Sequence, residues 1–176
     1  MGWLTVLLYF ATAAVCFVVA RGRRVRLVRR EAIYWWLLAL GLLALGINKQ
    51  LDLQSAFTEL GRIVSQQQGW YESRRELQRA FIVQVGLLLV VGVAIMAWLV
   101  RRAPLATRAA LGGALLLCSF IVIRAASFHH VDVLINVSLL GIRANWVFEI
   151  GGIGLVLAAA VWRLRDARAL GVRPGR

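Results

Sequence analysis

Apolar residues gather into five long runs, about Trp3–Ala20, Ala32–Ile47, Ala80–Val100, Leu105–Ala126 and Ala144–Trp162, with polar stretches between them. Each run approaches the ~20 residues that a helix needs to cross the hydrocarbon core of a bilayer. The second is short as bounded and can lengthen at either end. Lipid offers the backbone no hydrogen-bond partners, so such runs satisfy their own amides as helices. Both prolines, Pro104 and Pro174, fall outside all five runs, as unbroken helices require. The pattern predicts an all-α integral membrane helical bundle of about five transmembrane helices, with residues 1–176 forming a single transmembrane domain.

Composition agrees and excludes other classes. Hydrophobic residues make up 61% of the 176 positions and charged residues 16%, against about 45–50% and about 25% in soluble domains. That balance excludes a secreted disulfide scaffold, a disordered tail and an ordinary soluble enzyme. The two cysteines, Cys16 and Cys118, sit inside apolar runs at different depths and read as small hydrophobes rather than a disulfide.

The net charge of +13 comes from 21 Lys+Arg and 8 Asp+Glu, and Lys49 is the only lysine. The charges sort by side. Fourteen basic residues lie in the 21–30 loop (six Arg), at Arg101, Arg102 and Arg108, and at Arg163, Arg165, Arg168, Arg173 and Arg176; only Glu31 and Asp166 offset them. The other side carries seven basic residues, Lys49, Arg62, Arg74, Arg75, Arg79, Arg124 and Arg143, and six acids. The positive-inside rule then places the N-terminus outside and the C-terminus inside. The first run has no basic residues before it and reads as a retained anchor rather than a cleaved signal. Gly2 lacks the Ser or Thr at position 6 that acylation takes, since Val6 stands there. The Arg loops therefore read as a topology device that meets anionic lipid headgroups, not as a nucleic-acid surface.

Chemical variety lies on the exoplasmic side. The stretch 48–78 has helical periodicity: Leu53, Phe57, Leu60 and Val64 mark one face, and Asn48, Asp52, Ser55 and Glu59 another. It predicts a helical exoplasmic hairpin between spans two and three, with Gly69 as a stop and the next helix starting before the membrane. The stretch 127–149 holds both histidines, His129 and His130, with Asp132 close behind. Val131, Leu134, Ile135 and Ser138 suit a short interfacial turn broken at Gly141. Asn145 and Glu149, four apart, share a face of span five. Arg124 and Glu149 sit at similar depth near the outer ends of spans four and five, and pairing is the usual remedy for such buried charges. An Arg124–Glu149 ion pair is expected, with snorkelling to headgroups as the alternative. The run Gly151–Gly154 suggests close helix packing, as do Gly41, Gly46, Gly86 and Gly92.

A weak repeat with an offset of 80 residues lays Lys49–Gly61 over His129–Gly141, matching Asp52 with Asp132. It would set two carboxylates around one axis. Imidazole and carboxylate are ligands of Zn, Cu, Ni and non-haem iron, so His129, His130, Asp132 and Asp52 are the candidate metal ligands. Asn48, Lys49, Arg143, Asn145 and Glu149 complete the polar cluster. A transition metal fits these donors. Haem takes axial histidines from facing helices and fits poorly with two on one short stretch. The reading is a multi-pass protein with an outward His/Asp cluster that binds metal. Two alternatives stay open: an accessory or assembly subunit of a larger membrane complex, and an enzyme acting on a lipid-linked substrate at the outer leaflet. No catalytic motif decides whether the chain is an enzyme.

The strings NKQLDLQ, QGWYESRR, RAASFHHVD and RANWVFEIGG, spread from Ala32 to Ala158, resemble a group of small bacterial multi-pass membrane proteins. The resemblance implies a bacterial inner membrane, in which the outward polar cluster read from the residues would face the periplasm. It implies no activity and no catalytic residue.

Overall fold

The computed structural model describes residues 2–22, 28–51, 74–126, 138–139 and 142–171. Five helices carry these residues: α1 (Gly2–Ala20), α2 (Arg29–Leu51), α3 (Arg74–Val100), α4 (Leu105–Ala126) and α5 (Ala144–Gly171). Their order matches the five apolar runs. The run read as Ala32–Ile47 does lengthen at both ends, α3 starts ahead of its run, and α5 continues past Trp162. Three helices are long and apolar enough to span a membrane, at Trp3–Ala20, Arg29–Leu51 and Leu105–Val122, and Gly86–Val100 is a shorter apolar helix. Of the stretch 48–78, expected to be a helical hairpin, 48–51 end α2 and 74–78 begin α3, while 52–73 lie outside the described residues.

Local signals explain the ends. Gly22 follows α1 with φ 64°, a left-handed conformation that glycine adopts without a Cβ clash. Its N–H bonds to the Val19 carbonyl, and the Arg21 N–H to that of Phe17, which closes the last turn. Pro104 precedes Leu105, the first residue of α4, where its missing N–H costs nothing. Before α5, Ser138–Leu139 (β1) pairs antiparallel with Ile142–Arg143 (β2). Of the residues expected to form a short interfacial turn, Ser138 is in β1, and Val131, Leu134 and Ile135 lie outside the described residues.

Buried positions repeat at intervals of three and four. They are Val6, Tyr9, Ala13, Cys16 and Ala20 on α1, with Glu31, Trp35, Leu38 and Leu42 on α2. Ala106, Ala110, Leu117 and Phe120 of α4 and Glu149, Ile153, Val156, Ala160 and Arg163 of α5 do the same. That is the spacing of side chains interlocking between nearly parallel axes. The closest packing joins α1 to α2 and α4 to α5; α5 also packs on α1, while α3 bridges α2 and α4 lightly. The α4–α5 crossing rests on glycine. A Cβ on Gly113 would meet the Gly152 carbonyl oxygen at 2.8 Å, and one on Gly152 would meet the Leu117 Cγ at 2.9 Å. Close packing at Gly151–Gly154 is thus carried by Gly152, whereas Gly151 and Gly154 face open space, as do Gly41, Gly86 and Gly92. Gly46 is packed too, against Tyr9 and Phe10.

Candidate functional site

Among the described residues two ionic clusters cross-link the bundle, one toward each end. The first joins the last turn of α2 to the second turn of α5. Lys49 Nζ donates to both carboxylate oxygens of Glu149, each at 3.0 Å. The Tyr9 hydroxyl of α1 donates to Glu149 Oε1 at 3.4 Å, and the Lys49 ammonium sits 6.0 Å from the centre of the Phe120 ring. Helix ends favour this arrangement. A cation suits the C-terminal turn of α2 and an anion the N-terminal turns of α5. Glu149 is buried, whereas the Lys49 side chain keeps 27% of its surface exposed. The cluster is therefore open to its surroundings at its lysine end.

The second cluster joins the other ends of the same helices. Glu31, in the first turn of α2, accepts from Arg163 Nε at 2.8 Å and from Arg163 Nη2 at 3.3 Å. Thr107, in the first turn of α4, donates to Glu31 Oε1 at 2.5 Å. Both charged side chains are buried, at 6% and 8% exposure. The planar guanidinium fork matches the two carboxylate oxygens, a geometry that the single lysine nitrogen lacks.

Sequence reasoning named Lys49 and Glu149 as members of a polar cluster, and the structure brings these two together. Asn48 is half-buried beside Lys49 at the end of α2. Arg143 lies on β2 opposite Ser138, and Asn145 lies in the first turn of α5; their side chains are outside the described residues. Arg124 lies in the last turn of α4, and its side chain is also outside them, so Glu149 is described with Lys49 as its cationic partner. His129, His130, Asp132 and Asp52 lie outside the described residues too. Among the described residues no three His, Cys, Asp or Glu side chains gather where they could hold a metal ion.

Sequence reasoning missed the Glu31–Arg163–Thr107 cluster. Glu31 and Arg163 entered only as charges on the Arg-rich side. The available signal was Glu31 itself, an acid beside Arg-rich loops and next to an apolar run, since an acid so placed calls for a dedicated cation. Comparison of the chain with protein-family models, with curated proteins and with solved structures finds no match to any of them.

Proposed function

We propose that the chain is a five-span inner-membrane protein, N-terminus out and C-terminus in, whose working face is the periplasmic end at Lys49 and Glu149. One observation supports this reading above others. Lys49 stands where the polar segment 48–78 leaves α2, and Glu149 where the segment 127–149 enters α5. Their 3.0 Å contact roots both segments at one point. Asp52 then begins three residues from the root on one segment, while His129, His130 and Asp132 lie on the other. The face binds a transition metal through these imidazoles and carboxylates, whose donor types suit Zn or a similar ion. Metal analysis of the detergent-purified protein tests it beside the His129→Ala/His130→Ala double variant. Stoichiometric metal in the wild type and its loss in the variant support the reading. Metal-free wild-type protein with an unchanged helical spectrum overturns it.

A second reading, an accessory subunit of a larger membrane complex, is favoured by α3. Gly86 and Gly92 face open space there, amid exposed Leu87, Leu88 and Val90, and small residues let a further helix approach closely. Purification at mild detergent concentration distinguishes the two: a stoichiometric partner lost on Gly86→Leu/Gly92→Leu supports the subunit.

A further inference from the structure

At the Arg-rich end, two cations share one aromatic ring. The Arg30 guanidinium carbon, from the first turn of α2, lies 4.3 Å from the centre of the Trp98 ring near the end of α3. The Arg101 guanidinium carbon, just beyond α3, lies 5.6 Å from the same centre. The attraction of each cation to the indole is favourable, but the two charges repel each other, and the positive end of the α2 dipole adds to that repulsion. Nothing among the described residues compensates them. Glu31, the neighbouring acid, turns inward to Arg163 and Thr107, and neither Arg30 nor Arg101 has an acidic partner. Both arginines are exposed.

The surroundings select the anion. Below the pair, Ile33 and Leu37 follow Arg30 along one face of α2, and Ile95 precedes Trp98 on α3; all are exposed. These helices pack only lightly on each other, and their exposed side chains continue the cationic pair with an apolar surface along α2 and α3. A small soluble anion would satisfy the arginines but leave that surface bare. We infer that Arg30, Arg101 and Trp98 form a binding site for the phosphate of an anionic phospholipid, whose acyl chains lie along that surface over Ile33, Leu37 and Ile95. Guanidinium groups bind phosphate oxygens in pairs, and the ring holds both groups at headgroup depth. The site is independent of the metal reading, which concerns the opposite end.

Native mass spectrometry of the full chain in detergent tests the proposal, with phosphatidylglycerol, phosphatidylcholine or inorganic phosphate added in turn. The wild type is expected to retain one phosphatidylglycerol in preference to phosphatidylcholine. Arg30→Gln/Arg101→Gln should weaken retention by about tenfold or more, since each lost charge-assisted hydrogen bond to a phosphate oxygen costs roughly tenfold. Arg102→Gln/Arg108→Gln removes the same charge at the same end and should leave retention within about twofold, because the Trp98 pair stays intact and exposed charges away from a single bound lipid are screened. Trp98→Leu keeps every charge and should still weaken retention. Equal loss in both double variants, or no effect of Trp98→Leu, would overturn the site in favour of diffuse attraction. Displacement of the lipid by millimolar inorganic phosphate would overturn the lipid as its occupant. Among the described residues Arg30 and Arg101 make no ion pair, and the weak attraction to the ring is offset by their mutual repulsion, so unfolding temperatures should stay close to the wild type. A variant that melts early is replaced by Arg30→Lys/Arg101→Lys, which keeps the charge but not the paired donors and should retain lipid less well.

Discussion

The two ends of the bundle use the same kind of bond under different solvents. At one end Glu31 and Arg163 are both buried, and Thr107 fills a further acceptor position. At the other, Glu149 is buried but Lys49 keeps over a quarter of its side chain exposed. Coulomb attraction at a given distance grows as the local dielectric falls, and so does the cost of leaving one partner alone. The Glu31 cluster is consequently a fastener, in which each group is worth most because the others are present. The Lys49 cluster is open to water at its lysine end. Buried ionic groups at one end and accessible ones at the other are what a membrane bundle with a single working face would need.

Breaking the comparison at its strongest point gives the largest effect. Arg163→Ala leaves the Glu31 carboxylate buried without a cation, and thermal unfolding in detergent should register a loss of about 3–5 kcal/mol. Adding Glu31→Leu to Arg163→Met should restore most of it, because an apolar pair needs no compensation. Failure of that rescue would mean that the cluster stabilises through something other than charge pairing. Next in size is Thr107→Val, which keeps the shape and removes one hydrogen bond to a charged oxygen, at about 1.5 kcal/mol. Lys49→Gln should cost less, about 1 kcal/mol, since water reaches the site and replaces part of the lost interaction. If Lys49→Gln destabilises as much as Arg163→Ala, the two ends are not different in kind. The smallest change is expected from Lys49→Arg, within about 0.5 kcal/mol, because the charge persists and an open site has room for the larger head.

How far each cluster was legible follows from range along the chain. Helix positions could be read from apolar runs, because the bilayer-length rule acts on contiguous residues; Leu105–Ala126 is α4 as read. The close approach at Gly152 was legible as a glycine-rich run, but not which of its glycines would face α4. Glu149 was legible as a charge needing a partner. Arg124 on the preceding helix was the expected partner, and its side chain lies outside the described residues; Lys49, which reaches Glu149 from α2, 100 residues away, was not foreseen as a partner. Arg163 and Glu31 are 132 residues apart, and nothing local marks either as buried.

The sequence by itself determined the helical class, the places of the five apolar helices and the crowding of arginine into one set of loops, since each depends on local composition and spacing. Tertiary structure alone decided which charges meet. Interhelical rotation and crossing choose one face of each helix, and a face is shared only by residues that the chain order keeps far apart. That is why Lys49 and Glu149, Glu31 and Arg163, and Arg30 and Trp98 became pairs only once α1 to α5 were packed.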